Sequence, residues 1–281
     1  MKSLDHIITP IAAELAQFEV FFAQTLHAET EPMDGIMRYV LETEGKRLRP
    51  ILVLLSARLF GQINERTLRA ATFVEMIHSA TLIHDDVVDG DNQRRGQASV
   101  KARWDCRSAV LAGDYLLAKA MLLLSQPDDH VILQEMLRTA AAMSEGELMQ
   151  NDVELSYHGC HNDDNPQMRR PRCDSPTNHY LDIITRKTAM LMRSCCIAGA
   201  LSVDASPEQI QQIADFGLNF GILFQLRDDI LDADSPENKR LAETLCPEYL
   251  DKTLESLSKL PQSSTTIILE QLAHFCANRM S

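Results

Sequence analysis

Two short acidic motifs constrain this chain most, because each ends a strongly apolar stretch and they lie in opposite halves of the sequence. Residues Asp85 to Asp89 read Asp-Asp-Val-Val-Asp, and residues Asp228 to Asp232 read Asp-Asp-Ile-Leu-Asp. Residues four apart share one face of a helix, so each motif offers two carboxylates on one side. A single acidic motif is usually a solvated helix end that compensates the helix dipole. Two copies with the same spacing favour buried helices whose carboxylates bind hard cations.

Two basic clusters predict anion sites. Residues 45–50 read Gly-Lys-Arg-Leu-Arg-Pro, and residues 92–96 read Asn-Gln-Arg-Arg-Gly. Arginine binds phosphate oxygens with a planar fork and lysine adds a compact charge, although a solvated basic loop is the alternative for the first cluster taken alone. Carboxylates repel a diphosphate by roughly 4 kcal/mol per pair at about 4 Å and an effective dielectric near 20. A divalent metal must therefore bridge them, and Mg²⁺ fits because it binds carboxylates together with substrate phosphates.

In this order, the motifs resemble those of the all-trans isoprenyl diphosphate synthases, or polyprenyl synthetases, and in particular the long-chain, octaprenyl-like branch. Beside the acidic and basic motifs, the resemblance rests on Gly113-Asp114-Tyr115, Glu145-Gly146-Glu147 and Lys187-Thr188-Ala189. It implies an all-α fold, in which residues 1–281 form a single-domain isoprenoid synthase helical bundle around a deep central cavity. It also implies a homodimer and a Mg²⁺-dependent prenyltransferase. Such an enzyme condenses isopentenyl diphosphate with an allylic prenyl diphosphate and releases a longer all-trans polyprenyl diphosphate.

The resemblance also implies roles for individual residues. The metal ligands would be Asp85, Asp89, Asp228 and Asp232, which would hold about three Mg²⁺ ions together with the allylic diphosphate. The allylic diphosphate would contact Arg94, Lys187, Thr188 and Gln225. The isopentenyl diphosphate would contact Lys46, Arg49, His78 and Arg95. Catalysis would depend on Lys187, Arg94, Asp85 and Asp228, which help the allylic diphosphate to leave so that the isopentenyl double bond can attack the carbocation.

Two of these residues have plainer interpretations in their local sequence. His78 lies seven residues before Asp85, two helical turns away, yet a single histidine on an apolar helix is usually a hydrogen-bonded core residue. Lys187 lies in an apolar stretch that predicts a buried helix. An ammonium group there needs an anionic partner, whether a substrate or a protein carboxylate.

The rest of the sequence predicts one helical domain. Residues 68–83, 109–124 and 208–231 carry apolar residues at helical spacing, and strand signals are nearly absent. The polar segment 151–178 predicts a long surface loop. Residues 233–281 predict a shortened carboxy-terminal region, in which the family's flap lysine has no clear counterpart.

Composition excludes several classes of function. A net charge of −13 argues against a nucleic-acid partner. The apolar runs are shorter than the roughly 20 residues that span a bilayer, and no cleavable signal is recognisable at the amino terminus. Seven cysteines, an odd number, favour reduced thiols. We therefore expect a cytoplasmic protein without a transmembrane segment, and at most a transient membrane contact for product release.

Two other functions remain open at this point. A low-activity partner subunit of a heteromeric prenyl synthase would keep the metal and diphosphate sites without the flap. A class I terpene cyclase would use the same ionisation, but it has no need of an isopentenyl diphosphate site such as Lys46, Arg49 and Arg95.

The wall below the first acidic motif predicts the product length. A chain that grows along the helix from Asp85 would pass Thr81, Ala80 and Ile77, and the small side chains of the first two predict a product longer than geranylgeranyl diphosphate. Replacing Ala80 with Phe should shorten the main product, as product chromatography would reveal. An unchanged product ladder would contradict this assignment and favour the alternative that Ala80 and Thr81 only permit close helix packing.

Overall fold

The computed structural model describes residues 3–43, 45–157, 176–232 and 236–279, without the side chains of 151–157, 176 and 232. These residues are almost entirely helical, which confirms the predicted all-α class. Helices α1 to α13 span Leu4–Ile8, Ala12–Leu26, Glu31–Glu42, Leu48–Phe60, Glu65–Val88, Val100–Arg103, Cys106–Leu123, His130–Tyr157, Pro176–Ile184, Met190–Ser202, Pro207–Asp232, Pro236–Ser258 and Ser264–Asn278. Short 3₁₀ turns cover Thr9–Ile11 and Pro127–Asp129, and a π-helical segment covers Thr185–Ala189. Two short strands, β1 Gln93–Arg94 and β2 Gln97–Ala98, pair antiparallel.

The three stretches with helical spacing are confirmed as helical in α5, α7 and α11, except that α7 ends at Leu123, one residue before the end of the second stretch. The predicted loop 151–178 is wrong at both ends, because α8 continues to Tyr157 and α9 already begins at Pro176. Polar composition misled the prediction there, since a stretch that is poor in apolar residues can also be helical. The middle of that segment, 158–175, lies outside the described residues.

The chain divides into two compact units, which are described separately. The first unit comprises Ile8–Glu135 and Cys195–Pro207, and the second comprises Met1–Ile7, Met136–Ser194 and Glu208–Ser281. The single domain expected from the sequence stays a prediction.

Helix α5 forms the core of the first unit and packs against α2, α4 and α7. Its middle is buried on all sides, with Ala70, Phe73, Val74 and Met76 at most 1% exposed, as expected for a central helix. Asn64 starts the helix with a capping box: its side chain accepts the Thr67 N–H at 3.1 Å. The acidic motif follows this buried stretch at the far end of α5.

Helix α11 carries core side chains of the second unit in the same way. Phe216 and Phe220 stack with ring centroids 5.6 Å apart, and both are fully buried, as are Leu223 and Leu226. In the same unit α12 packs against α13, whose amino terminus is capped by Ser263. The second acidic motif lies on the last described turns of α11.

Among the described helices, none is by itself both long and apolar enough to cross a bilayer. One consecutive pair, Cys106–Leu123 with Pro127–Gln150, meets the length and composition criterion jointly, and its two members are bent by 105°. The cysteines within the described ranges are free thiols: Cys106, Cys195, Cys196, Cys246 and Cys276.

Two glycine-to-alanine substitutions in the first unit should change stability in opposite directions. A methyl group at Gly199 would lie 2.2 Å from the Val53 carbonyl oxygen, so helices α10 and α4 would have to separate. We expect Gly199→Ala to lower the free energy of unfolding by about 1–3 kcal/mol. Gly35 on α3 has nothing within 4 Å of the added methyl, so Gly35→Ala should raise stability by about 0.5–1 kcal/mol. Urea unfolding measures both, and equal effects would contradict the packing account.

Candidate functional site

The first acidic motif lies at the carboxyl end of α5, where the helix dipole is negative. The helix ends at Val88, and the Asp89 N–H closes the last turn on the Asp85 carbonyl oxygen at 2.8 Å. Asp85 is half-buried and Asp89 is exposed. Carboxylates here oppose the dipole instead of compensating it, so the motif is stabilised by cations. A dipole-compensating helix end therefore does not explain it.

Asp86, the middle carboxylate, is buried and ion-paired. Arg94 Nε donates to Asp86 Oδ1 at 2.8 Å, and Asp86 is only 3% exposed. Burial raises the pKa of Asp86, while the hydrogen bond and charge of Arg94 oppose that rise. The sequence predicted no role for Asp86, and it predicted that Arg94 contacts the allylic diphosphate. A diphosphate at Arg94 would have to share the guanidinium with Asp86.

The second basic cluster is a tight hairpin between β1 and β2. Its two turn residues, Arg95 and Gly96, have φ values of +52° and +77°, which is typical of a type I′ turn. Tyr39 fixes the hairpin by donating its hydroxyl to the Ala98 carbonyl oxygen at 2.6 Å. A methyl group at Gly45 would lie 2.4 Å from Arg95 Nη1, so the glycine of the first basic cluster makes room for the arginine of the second.

Arg47 has a structural position within the first basic cluster. Its guanidinium pairs with Glu75 at 2.6 Å and Glu19 at 2.9 Å, and lies 5.2 Å from the ring centroid of Phe22. Glu75 is only 4% exposed, and a buried carboxylate needs such a partner. The neighbouring Lys46 is exposed to solvent. This separates Lys46, which is exposed, from Arg47, which is held by protein carboxylates.

His78 and Arg49 are in direct contact. Arg49 Nη1 and His78 Nε2 lie 2.9 Å apart, so a neutral imidazole accepts the guanidinium proton. Burial, followed by the charges of Arg49, Arg95, Arg94 and Arg47, lowers the pKa of His78 well below its ordinary value. Four arginines therefore act on one histidine. This local positive potential is the electrostatic condition for an anion site.

A pocket that is open to solvent adjoins this basic region. Arg47, Arg94 and Arg95 line one part of it, and Leu82 and Val100 contribute apolar surface. The residues predicted to set product length do not line it. Ala80 is fully buried and Ile77 is 2% exposed, while Thr81 donates its hydroxyl to the His78 carbonyl oxygen at 2.9 Å. Their role in product length stays a prediction.

In the second unit, neutral donors hold Asp229 at both carboxylate oxygens. The Tyr180 hydroxyl donates to Oδ2, and Gln225 Nε2 donates to Oδ1 at 2.8 Å. Thr188, which is 7% exposed, orients Gln225 by donating to its Oε1 at 2.7 Å. Burial and then the charge of Asp229 raise the pKa of Tyr180, so the phenol stays a donor. Gln225 and Thr188 were predicted as diphosphate contacts, and here they position a carboxylate.

Lys187 lies in the π-helical segment, where the sequence predicted a buried helix. Its side chain is 33% exposed and pairs with Glu147 at 2.8 Å and with Gln150 at 3.0 Å. A methyl group at Gly146 would lie 2.7 Å from the Lys187 backbone nitrogen, so α8 approaches this segment closely because Gly146 has no side chain. Single π-helical turns often mark functional sites, and this one carries two predicted ligand residues. The expected anionic partner of Lys187 is thus a protein carboxylate.

Asp228, predicted as a metal ligand, contacts a cation of the chain itself. Arg279 Nη2 donates to Asp228 Oδ1, and the guanidinium carbon lies 4.3 Å from the ring centroid of Phe224. Arg279 is 7% exposed. No sequence signal pointed to this arginine, because it follows the motif by about fifty residues and matches no motif. The side chain of Asp232, the other predicted ligand of this motif, lies outside the described residues.

Within the described part of the chain, no group of three or more histidine, cysteine, aspartate or glutamate side chains is arranged to hold a metal ion. Each motif nevertheless supplies carboxylate oxygens, the ligand type that Mg²⁺ and Ca²⁺ prefer. Mg²⁺ is usually held by one or two carboxylates together with substrate phosphates, so the donor set fits a metal that arrives with a diphosphate.

The contact between His78 and Arg49 predicts how stability depends on pH. Because the pKa of folded His78 is lowered, the unfolded chain binds one more proton below about pH 6.5, and stability falls as the pH decreases through that value. His78→Gln should reduce the slope of the free energy of unfolding against pH between pH 7.5 and 5.5, by up to about 1.4 kcal/mol per pH unit. Urea unfolding at several pH values tests this, with exposed His130→Gln as the control. Identical pH dependence in His78→Gln and wild type would contradict it.

Comparisons with known proteins identify the family. The polyprenyl synthetase family matches residues 30–243. The chain is 32% identical to an all-trans-nonaprenyl-diphosphate synthase (geranyl-diphosphate specific) of Rhodobacter capsulatus, over 91% of this chain and 72% of that protein. It is 34% identical to heptaprenyl diphosphate synthase component 2 of Geobacillus stearothermophilus, over 82% and 67% of the two chains. A crystal structure of a Caulobacter crescentus polyprenyl synthase, complexed with calcium and isoprenyl diphosphate, has a TM-score of 0.81 and 26% identity, and the match covers 99% of this chain and 98% of that one. The chain belongs to the polyprenyl synthetase family, whose relatives named here are prenyl diphosphate synthases, that is, prenyltransferases.

Proposed function

We propose that the chain condenses isopentenyl diphosphate with an allylic prenyl diphosphate to give a longer all-trans polyprenyl diphosphate. One observation carries the proposal: each acidic motif occupies the carboxyl end of a buried helix, beside residues suited to bind phosphate. Carboxylates in that position are stabilised by cations, and a metal-bound diphosphate supplies them.

The first unit would bind isopentenyl diphosphate. Arg49 and Arg95 act electrostatically on the same histidine, and Lys46 is exposed beside them. Neutral His78 keeps the Arg49 guanidinium oriented, and a guanidinium suits phosphate oxygens. Since arginine stays protonated at any working pH, this site would remain cationic when substrate binds.

The second unit would bind the allylic diphosphate. Lys187 supplies an ammonium group, and the hydrogen-bonded series Thr188, Gln225 and Asp229 fixes the direction of the polar atoms around it. Departure of diphosphate leaves an allylic carbocation, which the isopentenyl double bond attacks, and the resulting cation loses a proton to the departed diphosphate. No protein nucleophile is needed.

Mg²⁺ is the proposed metal, with about three ions per allylic diphosphate and with Asp85, Asp89, Asp228 and Asp232 as its protein ligands. The Caulobacter relative was crystallised with calcium and isoprenyl diphosphate, which supports a divalent cation in this role. When bound, the metal would neutralise the negative charge that develops on the leaving diphosphate.

We also propose that the outer face of α7 pairs with another chain. Val110, Leu111, Met121 and Leu122 are large apolar residues of that helix that are 39–70% exposed. Exposed apolar residues grouped on one element are typical of a protein–protein interface. A second copy is the expected partner. A different subunit is the alternative, because the Geobacillus relative is named as one component of its synthase.

The decisive assay is incubation of the purified chain with Mg²⁺, farnesyl diphosphate and labelled isopentenyl diphosphate, with EDTA as the blank. Elongated prenyl products support the proposal. Absence of product favours the partner-subunit function, and a hydrocarbon formed without isopentenyl diphosphate favours a cyclase. Asp228→Asn should lower kcat by about 10²-fold or more, because it removes a carboxylate ligand of the metal that would neutralise the leaving diphosphate. Asp215→Asn, an exposed aspartate of the same helix, is the control and should keep full activity.

A further inference from the structure

The contact between Arg279 and Asp228 is built by several independent interactions. The guanidinium contacts Asp228 Oδ1, lies over the Phe224 ring and donates to the Phe224 carbonyl oxygen at 3.3 Å. Arg227 Nε donates in turn to the Arg279 carbonyl oxygen at 2.8 Å. Side chain and backbone of Arg279 are therefore both fastened to α11. A surface arginine that pairs by chance would be exposed, whereas Arg279 is 7% exposed.

The charge of Arg279 is opposite to that of the carboxylates on the last described turns of α11. Asp228 and Asp229 are adjacent carboxylates near the negative end of the helix dipole, so positive charge and hydrogen-bond donors nearby stabilise both. Asp229 accepts hydrogen bonds from Tyr180 and Gln225, which are neutral donors. Arg279 brings a formal positive charge to Asp228. It therefore supplies at this carboxylate the kind of charge that the proposed metal would also supply.

We infer that Arg279 holds Asp228 in the absence of a divalent cation and is displaced when the metal and a diphosphate bind. The inference rests on the proposed function, because it takes Asp228 to be a metal ligand. A guanidinium and a divalent cation on one carboxylate repel each other across a few ångströms, so the two occupy Asp228 in alternation. Arg279 is accordingly a positioning residue. It keeps the carboxylate oriented before substrate arrives and raises the metal concentration that the site requires.

The test is a Mg²⁺ titration of the full chain in the presence of saturating inorganic pyrophosphate. The melting temperature is the readout. Arg279→Gln should melt several degrees below wild type in EDTA, because a partly buried carboxylate loses its partner. It should nevertheless reach half-saturation at a Mg²⁺ concentration about tenfold lower than wild type, since the charge-assisted hydrogen bond of Arg279 no longer competes with the metal for Asp228. Mn²⁺ binding measured by electron paramagnetic resonance gives the same comparison without thermal unfolding.

Two further variants separate a direct contact from a general effect of charge. Arg279→Lys keeps the net charge but loses the planar fork, so its half-saturation should also fall below that of wild type. Arg138→Gln removes an exposed arginine of the second unit and should leave half-saturation unchanged. If Arg279→Gln does not fold, Arg279→Lys alone decides the question.

The outcomes distinguish the inference from the function on which it rests. If wild type responds to Mg²⁺ with pyrophosphate but both Arg279 variants keep its half-saturation, Arg279 is only a structural clamp and the inference is overturned. If wild type shows no Mg²⁺-dependent response with pyrophosphate, the proposed function fails and takes the inference with it.

Discussion

Carboxylates at the negative ends of two buried helices are the constraint on which the other features of the candidate site depend. Helix α5 ends in Asp85 to Asp89, and α11 is described as far as Asp232. Both helices are held by apolar packing that fixes where their last turns lie, so the acidic residues cannot move away from the unfavourable dipole. The carboxylates of each acidic motif therefore need positive charge or hydrogen-bond donors nearby.

The chain meets this demand differently at each carboxylate. Asp86 is paired with Arg94, Asp228 with Arg279, and Asp229 with the neutral donors Tyr180 and Gln225. An arginine that is paired with a carboxylate can be exchanged for another cation. Two neutral hydrogen bonds fix the orientation of a carboxylate at little electrostatic cost. The acidic motifs are thus sets of carboxylates in unlike environments, although their spacing in the sequence is identical. This difference gives a physical reason for separate roles within one motif.

Sequence reasoning found the features that depend on local pattern. Apolar periodicity located α5, α7 and α11, and the motifs located the acidic and basic residues. It could not find contacts between distant segments. The place of Gly45 against Arg95, the approach of Gly146 to Lys187 and the pairing of Arg279 with Asp228 all depend on tertiary packing. The π-helical turn at Lys187 was also missed. Its hydrogen bonds join residues five apart, one more than in an α-helix, and the apolar spacing of the sequence predicts only an α-helix there.

The central claim is that the carboxylates of each acidic motif bind a metal-bound diphosphate, and calorimetry of single and double variants tests it most directly. Isothermal titration calorimetry with Mg²⁺ and pyrophosphate would compare wild type, Asp85→Asn, Asp228→Asn and the double variant. The account predicts that each single change weakens binding at least about tenfold and that the double change weakens it further. A single variant that binds like wild type would contradict it.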